Sequence, residues 1–204
     1  MRSKWSRVAV TAAAAALLGG VGGAVATGAQ GQGQGGTRAA APTTKGGNAA
    51  AVARGEYLVT AGGCHDCHTP WKMGANGPAP DMSLALSGHP AAMTLPPPPA
   101  PSGPWVMSAT ASNTAWAGPW GISYTANLTA DPETGLGQWT EQQFVDTIRT
   151  GRRQGRGREI LPPMPWPAFK NYNDADLKAM FAYLRTVQAI KNKVPDPVLA
   201  GAPK

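Results

Sequence analysis

Apolar residues recur at helical spacing in two segments of the second half of the chain. Between residues 140 and 150, Thr140 and Gln143 form a capping-box pattern at the start of a helix. Between residues 173 and 187, Asn173 can cap a helix whose apolar residues lie three or four positions apart. The apolar positions are Phe144, Val145 and Ile148 in the first segment and Leu177, Met180, Phe181, Leu184 and Val187 in the second. The pattern predicts two amphipathic helices.

A third helix is predicted over residues 49–61, where Gly62-Gly63 ends the helical segment. The chain contains 26 glycines and 20 prolines, and no segment alternates between apolar and polar positions. The predicted fold class is therefore all-α, with a few short helices joined by long Gly/Pro-rich loops. The core of such a fold is thin, so a large apolar cofactor would supply the missing buried surface.

The ends of the chain differ from its middle in composition. Residues 1–26 combine a basic start, an Ala-rich apolar run and the small-residue sequence Ala24-Val25-Ala26, which indicates a signal peptide or, if uncleaved, an anchor. Residues 27–48 have the Gly/Gln/Ala composition of a flexible linker. Residues 49–197 form the predicted domain, with an insertion at about 71–117, and 198–204 are a tail. Export follows from the first segment.

The charge of the chain does not favour nucleic-acid binding. Its formal charge is +7, from 18 basic and 11 acidic residues, and removal of residues 1–26 leaves +4. No Lys-rich tract carries the interleaved aromatic residues that a nucleic-acid groove needs. Nucleic acid is therefore excluded as a predicted partner.

The most specific motif is the run Cys64-His65-Asp66-Cys67-His68, the attachment pattern of a c-type haem. Two thiols three positions apart can each bond a haem vinyl group, and His68 then lies under the iron as an axial ligand. A zinc site would need further ligands, and a thiol–disulfide enzyme would place its cysteines after a strand in a βαβ unit. The chain has only these two cysteines. One covalently attached haem c is therefore the predicted cofactor.

The sixth iron ligand is predicted to be a methionine or a second histidine. His89 is the only histidine outside the motif, and the chain contains seven methionines. Met180 lies on an apolar helix face and is predicted to be core. Met164 lies in Leu161-Pro162-Pro163-Met164-Pro165, where prolines stiffen the loop that presents its thioether, and is the favoured ligand.

Two further groups of residues are candidates for contact with the haem. Five arginines lie between residues 149 and 158; Arg158 is the one predicted to pair with a haem propionate, and the others are predicted to steer an acidic redox partner. Trp120 is a candidate for packing on the porphyrin, but filling of the protein core explains the aromatic residues equally well. Both interpretations of the aromatic residues stay open from sequence.

The chain resembles the cytochrome c family, in particular monohaem domains of bacterial periplasmic proteins and cytochrome subunits of dehydrogenases. The matching segments are the haem motif, Gly118-Pro119-Trp120-Gly121, Asn127-Leu128-Thr129, Trp139-Thr140-Glu141, Pro162-Pro163-Met164-Pro165 and the helix around Asp176 to Leu184. The resemblance implies a haem between a first and a last helix that cross near Gly55 and Tyr183. It also implies His68 and Met164 as axial ligands and single-electron transfer as the activity. Met164 lies 96 positions after His68, which is a longer separation than in the smallest members of the family and indicates the insertion.

These observations together predict an exported, periplasmic, monohaem c-type cytochrome of a respiratory chain. It would carry electrons from a dehydrogenase donor to an oxidase or another acceptor, without being an enzyme itself. One alternative is a haem enzyme or sensor with an open distal position, similar to a peroxidase. Another is a cytochrome subunit of a dehydrogenase complex, held at the membrane through residues 1–48.

Overall fold

The computed structural model describes residues 45–100 and 102–201. The described helices are α1 (Lys45–Ala61), α2 (Cys64–His68), α3 (Glu141–Thr150), α4 (Trp166–Phe169) and α5 (Asp174–Leu184). The described strands are β1 (Trp71–Gly74), β2 (Gly77–Pro80), β3 (Ser108–Ala109), β4 (Ala115–Gly118), β5 (Gly121–Tyr124) and β6 (Val198–Leu199). The predicted signal peptide and residues 27–44 of the predicted linker lie outside the described residues, whereas residues 45–48 begin α1.

The all-α prediction is wrong, because the described residues include two antiparallel sheets. Strands β1 and β2 form a hairpin, and the second sheet has the order β3-β4-β5-β6. The strands are two to four residues long, and β4 and β5 bury only one residue each. Such short, half-exposed strands leave no alternation of apolar and polar residues for sequence analysis to detect.

The three helices predicted over residues 49–61, 140–150 and 173–187 are confirmed as α1, α3 and α5. Helices α1 and α5 cross where the resemblance implied. A Cβ atom on Gly55 would lie 1.9 Å from the carbonyl oxygen of Ala179 and 2.8 Å from Cβ of Tyr183. The absence of a side chain at Gly55 therefore allows the two helix backbones to touch. Arg54 adds an ion pair across the crossing, with Nε 2.9 Å from the Asp176 carboxylate.

The predicted capping residues of α3 and α5 are also confirmed, as are their predicted apolar positions except Val187, which lies beyond the end of α5 and is only partly buried. Thr140 and Gln143 form a reciprocal capping box, and the Asn173 side chain accepts a hydrogen bond from the Asp176 amide. Both helices contribute to one hydrophobic core with α1. Its buried members are Leu58, Val59, Leu86, Leu136, Phe144, Val145, Ile148, Leu177, Met180, Phe181 and Leu184.

The second sheet joins the predicted insertion to the end of the chain. Strands β3 and β4 lie in the insertion, β5 follows it, and β6 comes from the segment predicted to be a tail. Gly121 (φ +105°) lets β6 approach, because a Cβ there would lie 2.0 Å from the Val198 carbonyl oxygen. An apolar cleft of about 420 Å³ lies against β4 and β5, beneath Trp105, Val106 and Met107.

None of the helices in the described segments combines the length and the apolar character that a membrane crossing requires.

Candidate haem site

The five residues of the haem motif form helix α2, directly after the turn that ends α1. Gly63 has a φ of +67°, so it reverses the chain between the two helices in a conformation that suits glycine. Cys64 and Cys67 are unpaired and half-buried, and Cys64 packs against the hydrophobic core. Burial raises the pKa of the Cys64 thiol to about 11 and also raises that of Cys67. Burial therefore favours the neutral thiol at both positions.

His68 is buried and is oriented by a backbone carbonyl. Its Nδ1 donates a hydrogen bond of 2.8 Å to the Ala126 oxygen, in the loop after β5. Burial lowers the pKa of the His68 imidazole, an effect that the bond to Ala126 opposes. A neutral imidazole whose Nδ1 proton is occupied leaves Nε2 to bind a metal, which is the arrangement of metal-ligating histidines.

The loop that holds His68 is itself fixed by the segment around Gly88. The amide of Gly88 donates to the His68 oxygen, and the amide of His89 donates to the Thr125 oxygen. Gly88 has a φ of +78°, and a Cβ there would lie 2.5 Å from the Thr125 oxygen. Asn127 secures the far end of the loop through hydrogen bonds of its amide to Thr134 and the Ile190 oxygen.

His89, the alternative sixth ligand, belongs to this supporting structure. It is fully buried, its Nδ1 lies 2.9 Å from the Thr114 hydroxyl, and its ring packs against Tyr124 with centroids 4.9 Å apart. Its backbone holds Thr125, the neighbour of the residue that orients His68. The backbone and Nδ1 of His89 thus support the loop that holds His68, whereas its Nε2 is buried and has no partner among the described residues. Met164 remains the predicted sixth ligand.

Met164 lies in a short loop that is held at both ends. On one side, the Ser123 hydroxyl of β5 donates a 2.6 Å hydrogen bond to the Pro162 oxygen. On the other, Trp166 begins α4 and packs over Gly151, where a Cβ would lie 2.3 Å from the indole. The Met164 side chain is partly buried against the same hydrophobic core as Cys64. The loop thus holds Met164 on a fixed backbone against the core that Cys64 also contacts.

Two tryptophans present buried hydrogen-bond donors without acceptors among the described residues. Trp116 lies on β4 and Trp120 in the turn between β4 and β5, and the Nε1 atoms of both are buried and unpaired. Gly118 makes room for the Trp120 ring, since a Cβ there would lie 2.5 Å from it. Buried donors of this kind usually have a partner, and a propionate of a bound haem is an acceptor of suitable charge.

The predicted arginines lie on the loop between α3 and the Met164 loop. Arg149 is paired with Asp174, and Arg152 is paired with Glu159. The Arg158 guanidinium donates to the Glu159 oxygen. Partial burial and the neighbouring Arg153 guanidinium lower the pKa of Arg158, and Asp196 opposes them. Pairing of Arg158 with a haem propionate stays a prediction.

The described residues fit a haem better than the two rival sites. The two free thiols and the oriented His68 are the groups that a c-type haem needs, and the unpaired indole donors could serve an anionic group of a ligand. Among the described residues, no three His, Cys, Asp or Glu side chains are placed to hold a metal ion, which a zinc site would require. The cysteines follow helix α1 instead of the strand expected of a thiol–disulfide enzyme.

Sequence analysis missed two residues that shape this site. Ala126 acts through its backbone oxygen, for which no side-chain signal exists. Ser123 acts through one hydroxyl on a strand that was not predicted. Trp116 was among the aromatic candidates, and the structure sets it apart by its unpaired Nε1.

Comparison with known proteins identifies relatives among components of bacterial dehydrogenases, although no family model matches the chain. One component of the nicotinate dehydrogenase of Pseudomonas putida is 29% identical over 148 residues, which cover 72% of this chain and 10% of the relative. The cytochrome c subunit of the quinone-dependent alcohol dehydrogenase of Gluconobacter oxydans is 30% identical over 150 residues. The match covers 72% of this chain and 24% of the relative. The gluconate 2-dehydrogenase cytochrome c subunit of Pantoea cypripedii is 31% identical over 136 residues. This match covers 67% of the chain and 23% of the relative. The matched part of the chain thus spans at most about a quarter of each of these relatives.

Proposed function

Because the chain belongs to the cytochrome c family, as its similarity to cytochrome c subunits of bacterial dehydrogenases shows, we propose that it carries single electrons through one covalently attached haem c. The observation that carries the proposal is the 2.8 Å hydrogen bond from His68 Nδ1 to the Ala126 oxygen. This bond fixes the tautomer and the ring orientation that an axial ligand needs. The activity is electron transfer, and the chain is not itself the catalytic subunit.

Four residues hold the haem in this proposal. Cys64 and Cys67 form the two thioether links, His68 is the proximal ligand, and Met164 is the distal ligand. When bound, the haem supplies an iron centre that changes its charge by one electron. The hydrophobic core against which Cys64 and Met164 pack would limit access of water to the haem, and a thioether ligand would favour the reduced state. Partial burial of Met164 beside the core that Cys64 contacts supports its role.

The propionates are held by a second group of residues. Trp116 and Trp120 donate their indole N–H groups, which are buried and have no acceptor among the described residues. Arg158 is the further candidate, and its guanidinium lies on the loop that leads to Met164. Indole donors that act in this way anchor the haem through the second sheet.

The partner proposed for this protein is a dehydrogenase that delivers electrons to it. The relatives named as cytochrome c subunits belong to alcohol and gluconate dehydrogenases, and a carrier with the same domain suits a donor of that class. An oxidase or another carrier receives the electron. The site of action is the periplasm, reached through the export signal proposed for residues 1–26, with residues 27–44 as a tether if the segment is retained.

The test is maturation of the full chain in a strain that attaches haem c. The expected product keeps its colour after extraction with acidic acetone, and its mass exceeds that of the polypeptide by one haem. Extractable colour, or the mass of the bare chain, would refute the covalent haem.

Replacement of Met164 by Ala tests the distal ligand. The wild-type protein should show the weak far-red absorption band of a Met–iron bond, and Met164→Ala should lose it and bind carbon monoxide when reduced. Met73→Ala is the matched control, because Met73 is 78% exposed on the β1–β2 hairpin. Persistence of the band in Met164→Ala would exclude this ligand, and carbon monoxide binding by the wild type would indicate an open distal site.

A further inference from the structure

Four consecutive residues, 86–89, form a buried loop beside the haem motif. Leu86 and His89 are fully buried, Ser87 is 3% exposed, and Gly88 is buried as well. A buried loop has no access to bulk water, so its backbone N–H and C=O groups need hydrogen-bond partners within the protein. The loop therefore depends on donors and acceptors that other segments supply.

Two amides of this loop are paired with the segments that position the proximal histidine. The Gly88 amide donates a hydrogen bond of 2.8 Å to the His68 oxygen, and the His89 amide donates one of 2.9 Å to the Thr125 oxygen. The carbonyl oxygens of Ser87 and His89 are paired with neither segment. A donor from a third segment is therefore needed to complete the loop.

Asn192, in the segment after α5, is this donor. Its Nδ2 donates hydrogen bonds of 2.7 Å to the Ser87 oxygen and 2.9 Å to the His89 oxygen. Its Oδ1 accepts a hydrogen bond of 2.9 Å from the Ala91 amide. A side-chain amide offers two N–H donors and one acceptor oxygen, and Asn192 uses all three on one short stretch of backbone. An ionised Asp or a Leu at this position could not form the same set of bonds.

The same segment also holds the loop that orients the His68 ring. The Ile190 oxygen, two residues before Asn192, accepts a hydrogen bond of 2.8 Å from the Asn127 side chain. Asn127 directly follows Ala126, whose oxygen accepts the hydrogen bond from His68 Nδ1. The segment after α5 therefore connects two loops that meet at His68, one through the backbone oxygen of the histidine and the other through its ring.

We propose that Asn192 is a positioning residue for electron transfer, which fixes the orientation of His68 and thereby the balance between the oxidised and the reduced haem. This inference rests on the proposed function and assigns a role in it to the segment after α5. A hydrogen bond from Nδ1 to a carbonyl oxygen makes an axial imidazole a more basic ligand, and a more basic ligand favours oxidised iron. Loss of the Asn192 contacts weakens the bond to Ala126 and so favours the reduced state.

The first measurement follows the His68 Nδ1 proton in NMR spectra of the reduced, haem-loaded protein. Asn192→Leu removes all three side-chain hydrogen bonds at a similar side-chain volume, and the proton should exchange with water about tenfold faster than in the wild type. Asn192→Ser is the milder second variant, because its short side chain cannot span the three partners, and it should also accelerate the exchange. An unchanged exchange rate in either folded variant would overturn the inference.

The second measurement is the equilibrium of the haem-loaded protein with the ferricyanide–ferrocyanide couple. Reduction moves one electron from ferrocyanide to the haem iron, and no bond is formed or broken. The equilibrium constant for this reduction should be about three- to tenfold larger for Asn192→Leu than for the wild type, because the oxidised state loses its more basic ligand. An equal or smaller constant would contradict the proposed effect on the redox balance.

Asn173→Ala separates positioning from a general loss of stability. The Asn173 side chain forms its hydrogen bonds with Asp176, at the start of α5, so its removal should lower the Tm without changing the His68 proton exchange or the redox equilibrium. Equal changes in Asn173→Ala and Asn192→Leu would show that Asn192 acts on stability alone. A wild-type chain that attaches no haem would instead refute the proposed function before either measurement is made.

Discussion

At the scale of single residues, His68 depends on contacts that other residues make with its loop. Gly88 touches the backbone of Thr125 and Ala126, and Ala126 carries the carbonyl that orients the imidazole. A side chain at Gly88 would have to displace this backbone, because the nearest atom would be a carbonyl oxygen at 2.5 Å. The orientation of His68 thus depends on the absence of one Cβ atom at a position well separated from it in sequence.

Gly88→Ala should destabilise the protein by about 2–4 kcal/mol, from the clash together with the strain of a left-handed alanine. Urea denaturation measures this loss, and the His68 Nδ1 proton should exchange faster in NMR spectra of the variant. Gly103→Ala is the matched control: Gly103 also has a positive φ of +58°, but nothing lies within 4 Å of its Cβ position. It should lose only about 1 kcal/mol. Equal losses for both variants would contradict the role of the contact with Thr125.

The ion pair of Arg54 and Asp176 should make stability depend on pH. The hydrogen bond from Arg54, with smaller contributions from its charge and from Asn173, holds the pKa of Asp176 below its usual value. A carboxylate with a lowered pKa in the folded state stabilises the fold above the pKa of the unfolded chain and loses that effect as the pH falls through the folded value. Asp176→Asn should therefore be less stable than the wild type at pH 7 and about equally stable near pH 2.

Thermal unfolding of the wild type, Asp176→Asn and Arg54→Gln between pH 2 and 7 checks this expectation. Arg54→Gln should show the same reduced dependence on pH, because it removes the main cause of the lowered pKa. A constant difference in Tm between the wild type and Asp176→Asn across the range would contradict it. The size of the effect is small, since an exposed pair contributes little.

At the scale of elements, the crossing of α1 and α5 determines how the two ends of the domain meet. The helix backbones touch at Gly55, where a Cβ would lie 1.9 Å from the Ala179 oxygen. Any side chain at Gly55 must push the helices apart and loosen the core residues that both contribute.

Gly55→Ala should therefore lower the free energy of unfolding by about 3 kcal/mol or more, an order-of-magnitude value for overpacking at a backbone contact. Gly47→Ala, in the exposed first part of the same helix, is the control. It should raise stability by about 0.5–1 kcal/mol through helix propensity alone. Denaturant titration of both variants measures the difference, and a stable Gly55→Ala would show that the crossing tolerates wider spacing.

The elements also show which signals in the sequence are informative. The capping box of Thr140 and Gln143 and the apolar positions of α5 predicted helices that the structure contains, because these signals lie within a few residues of one another. The strands were missed because they are short and because the glycine-containing sequences of β4 and β5 have no strand pattern of their own. In addition, β5 pairs with the distant strand β6, which no local pattern indicates.

At the scale of the whole molecule, the sequence predicted those parts of the site in which the chemistry requires particular side chains at a particular spacing. Cys64, Cys67 and His68 form a motif whose spacing alone indicates haem attachment. Ala126 and Ser123 were not predictable, because one acts through its backbone and the other through a contact that exists only after folding. Met164 was singled out by its Pro-rich loop, and its role as a ligand stays a prediction.

Strand β6 makes the second sheet depend on residues far along the chain. The Ala200 amide donates to the Trp120 oxygen, and Val198 pairs with Ile122 of β5. Truncation after Pro197 should lower Tm by several degrees and increase cleavage by proteases within residues 95–107, because the turn with Trp120 loses its outer strand. Truncation after Gly201 should leave the Tm and the rate of protease cleavage unchanged. Equal behaviour of the two truncations would show that β6 is dispensable.

Because α1 and α5 lie at opposite ends of the domain in sequence, the core that they share is completed only when the last helix has been made. A ribosome delivers the two thiols long before it delivers the helix that covers the core beside them. During that interval the core against which Cys64 packs is incomplete, because part of it comes from α5. The surroundings of the two thiols are therefore complete only after the last helix packs against the first.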